Sequence, residues 1–133
     1  MMPRLEQRSV GFGFLLIAAL VIGCSDETQA HRTLRAVGPQ TLRTQTLEAC
    51  REGFASKAGQ KIDAAQWPES ARAFNPMSLW AEPDGAYLLL DSDADGERGI
   101  YLPRILSEKD PLCSAMLKHV KLGEGVYWYE KKR

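Results

Sequence analysis

The sequence predicts a single small α+β domain in residues 42–133, with an N-terminal helix packed on an antiparallel sheet of four to five strands. Two observations favour this fold class. Apolar residues recur at helical spacing from Leu47. From Met77 onward, short apolar runs alternate with turn residues, which is typical of strands joined by hairpins. No internal repeat or low-complexity block interrupts this pattern.

The helix is predicted over residues 42–58, because one apolar stripe runs along it. The stripe consists of Leu47, Cys50, Phe54 and Ala58. Gly59 follows, where a left-handed residue commonly ends a helix. Gly53 weakens the helix by about 1 kcal/mol relative to Ala. Since the stripe faces the core, Cys50 is predicted to be buried.

The region between this helix and the first strand contains one short predicted helix. Pro68 suits the first position of a helix, because its missing N–H has no partner to lose there. Asn75-Pro76 ends it, since a residue before proline avoids the helical conformation.

The strands begin with a hairpin of Ser78–Glu82 and residues 86–91, joined at Pro83-Asp84-Gly85. A strand over 99–105 follows. Pro103 lacks an N–H, which predicts an edge position or a bend there. The last strand is 126–131.

Residues 111–122 leave two alternatives open. Asp110-Pro111 resembles a helix start, so a short helix over 111–118 carries Cys113 in its first turn. The other alternative is a strand over 116–122.

The N-terminus has the parts of a secretory signal. Arg4 and Arg8 form a basic region, and residues 10–22 form an uncharged, mostly apolar run. Thirteen residues of helix span about 20 Å, which is short of the roughly 30 Å hydrocarbon core of a bilayer. The segment therefore fits a signal peptide better than a transmembrane helix.

The motif Val21-Ile22-Gly23-Cys24 closes this run and resembles the lipobox of bacterial lipoproteins. The resemblance covers residues 1–24 only. It implies a signal peptide over residues 1–23, cleavage before Cys24 and a lipid on the Cys24 thiol. Ser25 in place of Asp implies the outer membrane of a Gram-negative bacterium, with the domain at the periplasmic face.

Two other interpretations remain. Thr28-Gln29-Ala30 has the spacing for ordinary cleavage before His31, which would release a soluble protein. An uncleaved anchor is the other.

Residues 24–41 are predicted to be the lipidated cysteine and a flexible tether, because they are polar and contain Gly38-Pro39. Leu34, Ala36 and Val37 interrupt the polarity and offer a patch that docks on the domain or on a partner.

If the lipobox takes one of the three cysteines, Cys50 and Cys113 remain in an oxidising compartment. This predicts one disulfide, Cys50–Cys113. The alternative is two buried free thiols.

Charge and motifs limit the function. The signal peptide contains Arg4, Arg8 and Glu6, so residues 24–133 retain 15 of the 17 basic and 16 of the 17 acidic side chains. This balance argues against a nucleic-acid binder. We find no catalytic motif, and we expect no cofactor and no enzymatic activity.

The acidic turn Asp91-Ser92-Asp93-Ala94-Asp95-Gly96 resembles the first half of a calcium-binding loop. Asp91, Asp93 and Asp95 are therefore weak candidates for metal ligands. The position of the bidentate Glu holds Leu102, which favours a plain hairpin turn.

The aromatic run in the last strand is the other candidate. Alternation places Val126 and Trp128 on one face and Tyr127 and Tyr129 on the other. Tyr101 joins the tyrosines if the two strands are neighbours. Such a face either covers the sheet or binds a partner, because tyrosine concentrates at binding hot spots.

The sequence thus predicts a membrane-anchored periplasmic lipoprotein that acts as a non-catalytic interaction module with a protein partner: an inhibitor, an immunity protein or an accessory of envelope assembly. The alternative is a ligand-binding or weak calcium-binding module that uses the turn at 91–96. A cell-envelope enzyme is a third hypothesis. The sequence does not determine the oligomeric state.

Overall fold

The computed structural model describes residues 26–107, 111 and 117–133. In these residues the chain forms three α-helices, two short 3₁₀ segments and six strands. The helices are α1 Glu27–Val37, α2 Pro39–Ala49 and α3 Glu69–Arg72, and the 3₁₀ segments are Arg51–Ala55 and Ala64–Gln66. The strands are β1 Gln60–Lys61, β2 Ser78–Glu82, β3 Gly85–Asp93, β4 Gly96–Pro103, β5 Leu117–Gly123 and β6 Val126–Lys132.

The strands form one antiparallel sheet in the order β1-β2-β3-β4-β6-β5. The α+β class is therefore confirmed, with three helices and six strands instead of one main helix and four or five strands. The hairpin around Pro83-Asp84-Gly85 is as predicted, since Glu82 pairs with Gly85. β4 lies between β3 and β6, so the predicted edge position of Pro103 is wrong. Pro103 is the last residue of β4, where a missing N–H costs little.

The core lies between one face of the sheet and the helices. Inward-facing strand residues pack against apolar side chains of α1, α2, the first 3₁₀ segment and the residues after α3. The cluster includes Leu79, Leu88, Ile100, Leu102, Val126 and Trp128 from the sheet and Leu34, Leu42, Cys50, Phe54 and Phe74 from the other segments. Alternation along β3, β4 and β6 places the remaining side chains of these strands on the opposite face, with a register shift in β3 between Leu89 and Asp91.

The segment predicted as a tether differs from that prediction over residues 27–37, because it forms α1. The Asp26 carboxylate accepts a hydrogen bond from the backbone N–H of Gln29 and caps the helix. Ala30 and Leu34 are 2% exposed and belong to the core cluster. Of the predicted apolar patch, Leu34 and Val37 therefore pack on the domain itself, whereas Ala36 is exposed.

The helix predicted over residues 42–58 corresponds to α2, which is shorter than predicted and begins earlier, at Pro39. α2 starts with Pro39 at its first turn and ends at Ala49, and a 3₁₀ segment continues to Ala55. Gly53 in this 3₁₀ segment has no room for a side chain, since a Cβ atom there would lie 2.6 Å from the Cβ of Ala81. The chain thus approaches β2 closely at this point. Gly59 has the predicted positive φ, at 80°.

For residues 111–122, the strand alternative matches β5. Most of the alternative helix, including residues 112–116, lies outside the described residues. The N-terminal signal and Cys24 lie outside them as well.

The structure does not support the predicted disulfide. Cys50 is a free thiol with no exposed surface, at the end of α2 and inside the core cluster. Cys113 lies outside the described residues. Burial raises the pKa of the Cys50 thiol to about 12, so this thiol is held in its protonated form.

Arg43 joins α2 to the end of the sheet. Its Nη1 donates hydrogen bonds to the backbone oxygens of Pro103, at 2.8 Å, and Gly125, at 2.9 Å. Burial lowers the pKa of this guanidinium, and the negative charge of Glu124 opposes that shift. A side chain on Gly125 would collide with Arg43, so the turn between β5 and β6 depends on a glycine here.

Candidate functional site

The strand register aligns aromatic residues in one row across the sheet. Trp80 of β2 pairs with Tyr87 of β3, Tyr87 with Tyr101 of β4, and Tyr101 with Tyr127 of β6. Tyr129 lies two residues further along β6, on the same face. We call Tyr87, Tyr101, Tyr127 and Tyr129 the tyrosine face. It lies opposite the face that the described helices cover.

The predicted grouping of Tyr101, Tyr127 and Tyr129 is thus what the structure has, because β4 and β6 are neighbours. These three side chains form a second apolar cluster, separate from the core. They are 3–6% exposed, which is less than a partly exposed tyrosine pair would be. Val126 and Trp128 face the core, as alternation predicts.

The tyrosine rings hold one another in place. Tyr87 stacks on Tyr101 with ring centroids 4.7 Å apart and meets Tyr129 edge-on at 5.3 Å. His119 extends the cluster, with its ring 5.3 Å from that of Tyr101. Such offset and edge-to-face pairs are favourable beyond their buried area. The tyrosine face is therefore a packed aromatic layer.

Asp84 anchors two of the phenols. Its Oδ2 accepts hydrogen bonds from the hydroxyl of Tyr101 at 2.9 Å and from that of Tyr87 at 3.1 Å. Burial raises the pKa of both tyrosines, and the hydrogen bonds and the charge of Asp84 raise it further. Burial and the charge of Glu97 raise the pKa of Tyr129. These hydroxyls are therefore protonated donors near neutral pH.

A cleft of about 550 Å³ opens beside this layer. We call it the aromatic cleft. Its lining includes Trp80, Glu82, Asp84, Tyr87, Leu89, Glu97, Tyr129 and Lys131. Trp80 is 38% exposed, which is unusual for the largest apolar side chain. The volume lies within the range of ordinary ligand sites.

The charges of the aromatic cleft are mainly acidic. Three carboxylates, on Glu82, Asp84 and Glu97, stand against one ammonium, on Lys131. Glu97 has an ion-pair partner in Arg133 at 3.6 Å. Among the described residues, Glu82 and Asp84 have no basic side chain within ion-pairing distance.

A second cavity of about 650 Å³ lies on the other side of Asp84 and Tyr101. Tyr127, Pro103 and the loop after β4 line it, and the loop exposes Ile105 and Leu106. Asp84 lines both cavities and thus forms the ridge between them, with the Tyr101 hydroxyl bonded to it from the second cavity.

Carboxylates of the acidic turn are already paired with backbone N–H groups of the turn and with Arg98. Asp93 Oδ1 accepts hydrogen bonds from the backbone N–H groups of Asp95 and Gly96, and Arg98 pairs with both Asp91 and Asp93. The hydrogen bond from Arg98 is the main reason that the pKa of Asp93 lies below its usual value. Arg98 therefore occupies the place that a cation would take. Within the described ranges, no group of three or more His, Cys, Asp or Glu side chains is arranged to hold a metal.

Sequence reasoning missed Trp80 and Tyr87 as site residues. Both belong to strands that were predicted correctly, and alternation places each on the side opposite Leu79 and Leu88. That Tyr87 meets Tyr101 depends on β3 pairing with β4, which the hairpin turn at 91–96 indicates. The strand pattern therefore contained the signal for both rings, whereas Asp84 was predicted as part of the turn Pro83-Asp84-Gly85.

Comparison with known proteins finds no relative: no protein-family model, no curated protein and no solved structure matches this chain. In the part of the chain that the structure describes, no helix combines the length and the apolar character needed to cross a membrane. The function of this protein is therefore inferred from the aromatic cleft and from the sequence.

Proposed function

We propose that this protein is a membrane-anchored lipoprotein whose domain is a non-catalytic module that binds a protein partner through the aromatic cleft. The observation that carries the proposal is the exposure of Trp80 at the edge of a packed layer of tyrosines. Tryptophan and tyrosine are the residues most enriched among binding hot spots. A cleft whose walls are already packed loses little conformational entropy on binding.

The rest of the tyrosine face supports the same proposal. Tyr87 is fixed on one side by Tyr101 and on the other by Tyr129, so it presents a rigid ring to the cleft. The polar ends of Tyr87 and Tyr101 meet at Asp84, which is exposed at the tip of the β2–β3 turn. A partner would therefore meet rigid apolar walls beside fixed polar groups, as in most protein interfaces.

The anchor would be Cys24, by the lipobox resemblance. α1 begins at Glu27, three residues after this cysteine. Three residues span at most about 10 Å. A lipid on Cys24 would therefore hold the folded domain against the bilayer surface instead of on a long tether.

The proposed setting is the periplasmic face of the outer membrane of a Gram-negative bacterium, with a periplasmic protein as the partner. Inhibitor, immunity protein and envelope-assembly accessory are the roles that fit such a module. We propose no nucleic-acid partner and no cofactor. In this setting we expect Cys50 to stay a free, buried thiol and not to form the disulfide with Cys113 that the sequence predicts, and counting thiols tests this.

Site-specific photo-crosslinking in the producing cell tests the proposal. The photoreactive residue p-benzoylphenylalanine replaces Trp80 in the full-length chain, and in a matched control it replaces Arg32, which is exposed on α1. Irradiation should attach one defined protein at position 80 and none at position 32. Mass spectrometry of the adduct then identifies the partner for purification. Absence of an adduct at position 80, or equal labelling from both positions, would contradict the proposal.

A further inference from the structure

We infer that the aromatic cleft takes a basic side chain of its protein partner, an arginine or a lysine, between Trp80 and Tyr87 and against the carboxylates of Glu82 and Asp84. This inference rests on the proposed function and names the chemistry of the partner. It adds to that function the positive charge of the partner's side chain that enters the aromatic cleft.

The carboxylates of Glu82 and Asp84 give the aromatic cleft a negative charge that no basic side chain within ion-pairing distance balances among the described residues. Both act on the same ring, since the charges of Asp84 and Glu82 each contribute to the raised pKa of Tyr87. Two carboxylates therefore converge on one aromatic wall. A cation at this point would balance them.

The carboxylate of Asp84 has a fixed orientation. Two phenol hydroxyls donate to Asp84 Oδ2, so this group is held as an acceptor. Glu82 lines the same cleft, with its carboxylate near Gly59. A charged acceptor favours hydrogen bonds from a guanidinium or an ammonium group.

The aromatic walls of the cleft also favour a cation. A cation is attracted to the face of tryptophan most strongly and to that of tyrosine next, within about 6 Å of the ring centre. Trp80 and Tyr87 are directly paired across β2 and β3, so their side chains are neighbours on one face. An arginine side chain also contributes an apolar stem, which packs on rings.

A neutral ligand such as an oligosaccharide also stacks on tryptophan, but it suits this cleft less well. Its hydroxyl groups could donate hydrogen bonds to Glu82 and Asp84 but would supply no opposite charge. Hydrogen bonds between two charged groups are stronger than those between a charged and a neutral group. The two carboxylates therefore favour a basic side chain over a sugar.

Capped hexapeptides of one length test the inference on the purified full chain. The first carries two arginines, the second two citrullines, which are neutral and of the same shape, and the third two glutamates. Binding is followed by calorimetry and by the NMR shift of the Trp80 indole N–H. We expect the arginine peptide to bind at least tenfold more tightly than the citrulline peptide, and the glutamate peptide not to bind. Raising the salt concentration should weaken the binding of the arginine peptide but not that of the citrulline peptide.

Variants assign the effect to the cleft. The double variant Glu82→Gln/Asp84→Asn should reduce the preference for arginine over citrulline to less than twofold. Glu48→Gln removes one exposed carboxylate on α2, outside the cleft, and should leave the preference unchanged. Equal binding of the arginine and citrulline peptides, an unchanged preference in the double variant, or binding of chitooligosaccharides alone would overturn the inference.

The photo-crosslinking experiment separates this failure from failure of the proposed function. If position 80 captures a partner, but neither the arginine peptide nor the double variant reduces the capture, the proposed function stands and the basic side chain is wrong. If position 80 captures no protein, both fail. If capture occurs and the arginine peptide competes with it at least tenfold better than the citrulline peptide, both are supported.

Discussion

The two faces of the sheet are made by the same strands and differ in chemistry. On the helix-covered face, Leu88, Ile100 and Trp128 are essentially inaccessible and contact other apolar groups. On the opposite face, the aromatic layer is bordered by carboxylates and ends in the exposed ring of Trp80. The first face is the larger source of the stability of the domain. The second adds to stability and also carries exposed polar ends and the exposed ring of Trp80, which is why we propose recognition by this face.

The largest difference between the faces should appear on truncation of Trp128. Trp128→Ala leaves a large cavity in the core, and such changes cost about 3–5 kcal/mol. That is a large part of the 5–15 kcal/mol by which ordinary domains are stable. Urea unfolding followed by circular dichroism measures the loss. A loss below about 1 kcal/mol would show that the helix-covered face is not the main source of stability.

The tyrosine face should make stability fall at high pH. Tyr87, Tyr101 and Tyr129 have raised pKa values in the folded state, mainly through burial, whereas an unfolded tyrosine ionises near pH 10. Their contribution is complete below about pH 10 and is lost as the pH rises above it. For each tyrosine that ionises only in the unfolded chain, the slope approaches about 1.4 kcal/mol per pH unit.

The measurement is the free energy of unfolding between pH 8 and 11.5. Tyr129→Phe, which cannot ionise at that position, should reduce the slope. A free energy that stays flat through pH 11 would contradict the burial of these hydroxyls.

A smaller effect should follow from the loss of one phenol at the ridge. Tyr101→Phe removes the hydroxyl that donates to Asp84 at 2.9 Å, and we expect a cost of about 0.5–1.5 kcal/mol. Tyr129→Phe is a control on the same face, because the phenol hydrogen bonds to Asp84 come from Tyr87 and Tyr101. The expected result is a clear loss for the first variant, measured by urea unfolding. A gain in stability for Tyr101→Phe would show that Asp84 does not accept this hydrogen bond.

Thiol chemistry gives the smallest effect on stability and decides the state of Cys50. A buried thiol with a pKa of about 12 should resist iodoacetamide at pH 8 in the native protein and react fully in guanidinium without reductant. Mass spectrometry of protein purified from the producing cell without reductant counts the labelled sites. If Cys50 remains unlabelled after unfolding until a reductant is added, the predicted bridge to Cys113 exists and the free thiol is wrong.

Much of this fold was predictable because its signals are local. The hairpin at Pro83-Asp84-Gly85, the left-handed Gly59 and the alternation in β6 each depend on a few neighbouring residues. Such signals determine turns and the sides to which strand residues point. The tyrosine pair of β6 followed directly from them.

The remaining features depend on contacts between distant residues. The polar α1 has only Ala30 and Leu34 buried, and its helical state depends on docking against the domain. The close packing of Gly53 on β2 depends on Ala81, nearly thirty residues away. Whether Tyr101 lies beside Tyr127 depends on strand order, because β6 and not β5 is the neighbour of β4. Local periodicity carries no information on strand order.

The most direct test of the central claim is one substitution measured in two ways. Trp80→Ala is compared with Met77→Ala, a control that truncates a more exposed apolar side chain just before β2. Each variant is tested for its free energy of unfolding and for its affinity toward the partner captured at position 80. We predict that Trp80→Ala costs about 1 kcal/mol or less in stability but weakens partner binding at least tenfold, roughly 1.4 kcal/mol, whereas Met77→Ala changes neither. Full affinity in Trp80→Ala would contradict the assignment of recognition to this face.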